Sequence, residues 1–305
     1  MIGEQFVTQT VGFIGLGNIG SRVLVHLVKA GHDVAVFDLD QVAVDRAVAA
    51  GARAVESAAA ATAGSDVVFL SLPTPSIVDR VVEDILPSAS HGLVIVDHST
   101  IDPSTSRRLA LRAQEFGASL LDAPVSGGVQ GAEAGTLAVM IGGTPEAVQY
   151  VRPLLDTYAA KVVHVGPSGS GQALKLANNQ ITATNIVALG EGLSSVVAAG
   201  VDLDIAVEVL SASSANSNVL SGYFPRTLFT AERPTGFALD FMHKDLGLFL
   251  DAASQAKLPT PVTGLVRDLF SIGQRDGRGE QDFTSVVEFY EDFTGIRLQT
   301  KENPK

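Results

Sequence analysis

A chain of 305 residues, 46% hydrophobic and 18% charged, can bury large cores, and its length points to two domains rather than one. Its net charge of −12, from 21 Lys+Arg against 33 Asp+Glu, argues against nucleic acid or an anionic membrane surface as a partner. With no cysteine, disulfides, thiolate catalysis and cysteine-ligated zinc or iron–sulfur centres are excluded.

The first ten residues, Met1 to Thr10, lack a basic flank followed by an apolar core, so they do not read as a secretory signal. No charge-free apolar run reaches membrane-spanning length, and a soluble cytoplasmic protein is the expectation. Val11-Gly12-Phe13-Ile14 then reads as a buried strand, and Gly15-Leu16-Gly17-Asn18-Ile19-Gly20 follows at once. A helical pattern runs from Ser21 to Ala30, and Val34–Phe37 is a second strand ending at Asp38. This is G-x-G-x-x-G between strand and helix in a β-α-β unit, with an acid eighteen residues past the last glycine. The glycines permit a tight turn, close approach to a pyrophosphate and close helix–strand packing, while the helix N-terminus offers free N–H groups. Dinucleotide binding is the reading. Asp38 can accept hydrogen bonds from ribose hydroxyls and would repel a 2′-phosphate, and Leu39-Asp40-Gln41 offers no arginine, so NAD is expected over NADP. Asp40 suits the cap of the next helix better than Asp38 does.

Strands and helices keep alternating. Val67–Leu70 is a continuous apolar run suited to a parallel strand buried on both faces, and Leu72-Pro73-Thr74-Pro75 breaks it. A helix over Ile77–Leu86 leads to a strand at Leu93–Val96, which runs into Asp97-His98-Ser99-Thr100. Asp102-Pro103 opens a helix reaching about Phe116. The strand Ser119–Pro124 continues into Val125-Ser126-Gly127-Gly128-Val129-Gln130-Gly131-Ala132, a glycine-rich turn. Its hydroxyl and two backbone N–H groups could hold a small carboxylate. Thr136–Gly143, Pro145–Tyr158 and Val162–Val165 read as strand, helix and last strand.

The longest uninterrupted helical pattern opens at Gly169-Ser170-Gly171-Gln172 and runs to Gly200. Lys175, Asn178 and Asn179 share one face of it at i, i+3 and i+4, so an amine and two amides can point into one pocket. By spacing alone, a surface lysine beside helix-facing amides is the ordinary alternative. Beyond Gly200 the patterns Asp204–Leu210, Asp240–Ala256, Thr263–Gly273 and Phe283–Phe293 are all helical, and the tail Gln299–Lys305 is charged and frayed. The domains divide as 1–168, a Rossmann-type dinucleotide-binding α/β domain, and 169–305, an all-helical domain joined to it by the long helix.

Four motifs in this order resemble the β-hydroxyacid dehydrogenase family, whose members include 3-hydroxyisobutyrate dehydrogenase and tartronate semialdehyde reductase. They are Gly15–Gly20, Asp122-Ala123-Pro124-Val125-Ser126-Gly127-Gly128, Gly171–Asn179 with Lys175, and Lys244-Asp245. The resemblance spans Val11 to about Phe293. It implies Lys175 as the catalytic lysine, Ser126, Gly127 and Gly128 as the substrate-carboxylate loop, and Asn179, with Asn178, as the substrate-binding amide. It further implies that Gly15, Leu16, Gly17, Asn18, Ile19 and Gly20 hold the cofactor with Asp38. Leu72 and Pro73 would lie against that cofactor, Ser99 and Thr100 near the nicotinamide ribose, and Lys244 over the nicotinamide end.

The implied function is interconversion of a small β-hydroxycarboxylic acid and its semialdehyde by hydride transfer with NAD. Lys175 would be the general base in oxidation and the general acid in reduction. A free lysine titrates at about 10.4. Desolvation, the positive nicotinamide ring and the helix N-terminus would lower that value, and the substrate carboxylate would oppose them. No metal is expected, since the six histidines show no ligand spacing. A homodimer or homotetramer is the expected assembly. Alternatives are an NADPH-dependent glyoxylate or succinic semialdehyde reductase, and a non-catalytic protein that keeps a dinucleotide fold.

Overall fold

The computed structural model describes residues 8–300. Residues 1–7, most of the polar N-terminal stretch, and residues 301–305 of the charged tail lie outside the described residues. The chain divides into two compact units, one up to Lys175 and one from Leu176 onward.

In the first unit, β1 (Thr10–Ile14), α1 (Gly20–Lys29), β2 (Asp33–Phe37), α2 (Gln41–Ala49), β3 (Arg53–Ala54), α3 (Ala58–Thr62) and β4 (Val67–Leu70) alternate. α4 (Pro75–Ile85), β5 (Val94–Asp97), α5 (Pro103–Glu115) and β6 (Ser119–Asp122) continue the pattern. Then come β7 (Val125–Ser126), α6 (Gly128–Ala134), β8 (Leu137–Gly142), α7 (Pro145–Leu155) and β9 (Ala159–Gly166). The sheet order is β3-β2-β1-β4-β5-β6-β8-β7, with β9 beside β8. β1 to β6 are all parallel, while β8 runs antiparallel to β6 and β7. The chain order reverses between β1 and β4, which opens a crevice at the carboxyl ends of those strands, where ligands bind in such sheets.

Alternation along each strand sends side chains to opposite faces. Phe13, Val36, Phe69 and Val96 pack with Leu24 and Leu27 of α1 and Val151 of α7 on one face. Ile14, Val68, Leu70 and Ile95 pack with Val78 and Val82 of α4 and Leu109 of α5 on the other. Burial on both faces explains the unbroken apolar runs of these strands. Asp40, Ser57, Thr74, Asp102 and Thr144 cap their helices with side-chain oxygens.

α8 (Ser170–Ala198) belongs to both units. The division therefore falls inside this helix, not at Gly169 as the sequence pattern suggested. The reason is tertiary: the Gly169 N–H donates to the Asp122 carboxylate at 2.7 Å and that of Gln172 at 3.0 Å, so the first turn belongs to the sheet. By length and composition α8 could cross a membrane. It carries Asn178, Asn179 and Gln180, and its Ile186 and Leu193 are fully buried in the second unit's core.

The second unit is helical, with α9 (Leu203–Ser211), α10 (Leu239–Gln255), α11 (Pro261–Arg275) and α12 (Glu288–Thr294). Phe224, Phe229, Leu246, Phe270 and Val287 join Ile186 in its core. Arg233 ties the later segment down through Glu288 at 2.8 Å and Glu291 at 2.7 Å. Three details depart from the sequence pattern. Val129–Ala132 lies in α6 rather than in a turn, because the two glycines admit the bend and Gln130, Ala132, Glu133 and Ala134 favour helix. Phe283–Phe293 is broken into a 3-10 turn, Phe283–Val287, capped by Asp282, and then α12. β9 begins at Ala159, so α7 ends earlier and Tyr158 turns fully into the core.

Tyr158 meets His98 there. His98 Nδ1 lies 2.6 Å from the Ala123 carbonyl and Nε2 lies 2.7 Å from the Tyr158 hydroxyl. A carbonyl only accepts, so Nδ1 carries the proton and the tyrosine donates to Nε2. Burial pushes the imidazole down to about 4, against the Ala123 hydrogen bond, which favours the charged form. Below about 6.5 the unfolded chain takes up a proton that the folded state refuses, so stability falls from pH 6.5 to pH 4, by about 3 kcal/mol. In denaturant melts, His98→Gln should lose stability less steeply across that window than the wild type; parallel slopes would mean His98 is not the titrating group.

Candidate active site

Three sequence positions make the turn after β1. Gly15 has φ +94°, and a Cβ there would stand 2.3 Å from the Ser71 carbonyl oxygen. A Cβ on Gly20 would stand 2.1 Å from the Gly15 carbonyl oxygen, so α1 can approach the strand only without a side chain. Gly17 is the opposite case: a Cβ there meets nothing within 4 Å. That opening lies beside an α1 N-terminus which, unlike α2 to α5, has no side-chain cap. The Ser21 and Arg22 N–H groups turn back to the Gly17 and Ile19 carbonyls, and the open approach ahead of them, at the positive end of the helix, suits the pyrophosphate of a dinucleotide. Leu16 is buried, Ile19 half-buried and Asn18 exposed. Asp38, at the end of β2, accepts the Leu16 N–H at 2.5 Å on one oxygen and the Asp40 N–H at 2.8 Å on the other. Its carboxylate is therefore fixed against the glycine turn, with further lone pairs for ribose hydroxyls. Asp40 caps α2 by accepting the Val42 N–H. Leu39 is 92% exposed.

The loops after β4, β5 and β6 are bound to one another. Ser99 Oγ accepts the Leu72 N–H at 2.9 Å, and the Ser99 N–H donates to Asp97 Oδ1 at 2.9 Å. Leu72 is half-buried, Pro73 lies beside it, and Thr100 follows Ser99. From the end of β6 the chain passes Ala123 and Pro124 into β7, whose Ser126 pairs with Ala138. Gly127 and Gly128 then take φ +129° and +62°, a conformation that side chains resist, and both are exposed.

Lys175 lies in the second turn of α8 and is partly exposed. Asn178 and Asn179 follow one turn later on the same helix. Within the second unit, Asn179 is buried and donates from Nδ2 to Asp245 Oδ2 at 2.6 Å, and Asn178 donates to Asn179 Oδ1 at 3.1 Å. Lys244 Nζ stands 3.1 Å from the other oxygen of Asp245. The structure thus joins Asn178, Asn179 and Lys244 through Asp245, a carboxylate that is 1% exposed. In the first unit it brings Leu72 and Ser99 together directly.

Three residues of this frame were not singled out by sequence reasoning. Asp122 accepts the N–H groups of Gly169 and Gln172 across the sheet. Burial pushes its carboxyl above the ordinary range, and those N–H groups pull it back. Gln172 reaches the loop after β5, and Asp245 orients Asn179. Each sits inside a quoted motif. Their partners lie 47 to 73 positions away in the chain, beyond the reach of any helix or strand period.

Residues 10–166 match the family model described as the NAD binding domain of 6-phosphogluconate dehydrogenase. Residues 169–290 match the one described as NAD-binding of NADP-dependent 3-hydroxyisobutyrate dehydrogenase. A 2-(hydroxymethyl)glutarate dehydrogenase of Eubacterium barkeri is 36% identical over 291 residues, 94% of this chain and 97% of that protein. An NAD-dependent L-serine dehydrogenase of Pseudomonas aeruginosa is 37% identical over 294 residues, 93% of this chain and 99% of its own. Among solved structures, Mycobacterium tuberculosis 3-hydroxyisobutyrate dehydrogenase with L-serine superposes with a TM-score of 0.88 at 34% identity, over 93% of this chain and 99% of that one. The motif order, the parallel sheet with its glycine turn, the long helix and these matches along almost the whole sequence agree: the chain belongs to the β-hydroxyacid dehydrogenase family.

Proposed function

We propose that this protein interconverts a small β-hydroxycarboxylic acid and its semialdehyde, using NAD in preference to NADP, with Lys175 as the proton-transfer residue. The observation that carries the reading is the frame in the first unit. Hydrogen bonds tie the loops after β4 and β5 to each other, and the first turn of α8 to the end of β6, one turn before Lys175. The substrate class follows from the relatives' names. L-serine, 3-hydroxyisobutyrate and 2-(hydroxymethyl)glutarate share one unit, a hydroxymethyl group on the carbon that bears a carboxylate, and differ only in the third substituent. An acid of the form HOCH2–CH(R)–COO− is the proposed substrate.

The nicotinamide, when bound, supplies the hydride acceptor in oxidation and the donor in reduction. The rest falls to the chain. Gly15 to Gly20 receive the pyrophosphate at the open α1 N-terminus, and Asp38 takes the adenine ribose hydroxyls. Leu72, Pro73, Ser99 and Thr100 hold the nicotinamide end, with Lys244 as a further contact. Ser126 Oγ–H and the N–H groups of Gly127 and Gly128 fix the substrate carboxylate. Asn179, supported by Asn178, orients the hydroxyl toward Lys175. In oxidation the Lys175 amine accepts the hydroxyl proton, and in reduction its ammonium returns it.

Turnover followed at the reduced-nicotinamide absorbance band should appear with NAD+ and one of L-serine, 3-hydroxyisobutyrate, 3-hydroxypropionate or glycerate. Lys175→Ala should lower kcat by about 10²- to 10⁴-fold while NADH binding persists. Undiminished turnover in that variant would remove Lys175 from the mechanism. A second substitution tests cofactor choice. Asp38→Asn combined with Leu39→Arg removes the repelling carboxylate and adds a guanidinium at an open position, and should shift kcat/KM toward NADP+ by about tenfold or more. A wild type that turns over with NADP+ alone would overturn the Asp38 argument and favour the NADPH-dependent reductase reading, leaving the Lys175 assignment standing.

A further inference from the structure

We propose that Gln172 is a positioning residue for hydride transfer, its side-chain amide clamping the two peptides that flank Thr100 and holding that loop in register with Lys175 on the same helix. The inference rests on the proposed roles of Ser99, Thr100 and Lys175.

The Gln172 side chain is fully buried and both ends of its amide are used. Nε2–H donates to the Ser99 carbonyl at 2.7 Å, and Oε1 accepts the Ile101 N–H at 3.1 Å. A carbonyl can only accept and a peptide N–H can only donate, so the amide has one orientation here. It pairs with the chain on either side of Thr100 as a neighbouring strand would. The Gln172 backbone N–H meanwhile donates to Asp122 Oδ2.

The helix cannot shift independently of these bonds. A Cβ on Gly171 would stand 2.4 Å from the Met140 carbonyl oxygen and 2.7 Å from that of Asp122, so α8 starts in direct backbone contact with the sheet. Ser99 is itself bonded to Leu72 and Asp97. One amide therefore links the loops after β4 and β5 to the turn of α8 that precedes Lys175. The distance between a hydride donor and the carbon it attacks is set by such links, and misplacement of about 1 Å costs on the order of a hundredfold in rate. An amide that only satisfied two buried backbone groups would affect stability alone.

Two near-isosteric variants separate these roles: Gln172→Met, which removes both hydrogen bonds, and Gln172→Glu, which keeps the acceptor for Ile101 but sets a second oxygen against the Ser99 carbonyl. Thermal melts and elution volume establish that each folds. Binding is then measured for the tighter of NADH and NADPH, and for the matching ADP-ribose or its 2′-phosphate, which lack the nicotinamide. We expect ADP-ribose affinity within about twofold of the wild type, while the preference for the whole cofactor over ADP-ribose falls by about tenfold and kcat by about ten- to a hundredfold. The primary deuterium isotope effect on kcat should rise as hydride transfer becomes limiting.

A folded Gln172→Met protein with unchanged cofactor preference and kcat would overturn the proposal. So would the failure of both variants to fold, which would make Gln172 a stability residue. Lys175→Ala, run alongside, keeps the two readings apart: its continued turnover would refute the base assignment, while the cofactor-to-ADP-ribose ratio would still decide the case of Gln172.

Discussion

A buried carboxylate that must be satisfied governs the first unit. Asp122 is fully buried at the end of β6, where its ionised form is costly unless donors surround it. The donors are the free N–H groups at the start of α8, which every helix leaves unpaired at its N-terminus and which Gly169 and Gln172 supply here. Each side solves the other's problem. Six residues on from Gly169 lies Lys175, and four on from Asp122 lies Ser126, so this one contact sets the starting points of both the helix that carries Lys175 and the loop that carries Ser126.

The same economy appears along the carboxyl edge of the parallel sheet. Asp97, Ser99, Leu72 and Gln172 pass hydrogen bonds from loop to loop. Such networks are rigid when all members are satisfied, and rigidity at a reacting centre is what positions two reactants at once. The second unit repeats the device with a different cast. Asp245 receives the Asn179 amide and stands beside Lys244, so an amide and a cation are oriented by a carboxylate that itself lies out of water.

The relatives differ in the substrates their names state, yet those substrates share a hydroxymethyl group beside a carboxylate. The residues proposed to meet that shared unit lie on the sheet edge and on α8. Under that proposal, variation in the third substituent falls to other walls. This division, constant chemistry on a hydrogen-bonded frame and variable selection elsewhere, is the usual way one fold serves several substrates.

Much of this was legible in the chain itself. The glycine turn between β1 and α1 announces itself because adjacent residues must satisfy one local geometry, and the unbroken apolar strands do so because both faces are buried. The caps at Asp40 and Asp102 and the face shared by Lys175, Asn178 and Asn179 follow from helix geometry alone. The resemblance to a family, carried by four ordered motifs, anticipated the fold and the class of enzyme. What the sequence could not show were partners distant in the chain: Asp122 with Gly169 and Gln172, Gln172 with Ser99 and Ile101, Asn179 with Asp245, His98 with Tyr158. No periodicity encodes them, since hydrogen bonds between distant segments depend on how strands are ordered and helices packed. For the same reason the unit boundary fell inside α8 and not at the glycine that begins it: local propensity starts a helix, but tertiary hydrogen bonds decide to which body its first turn belongs.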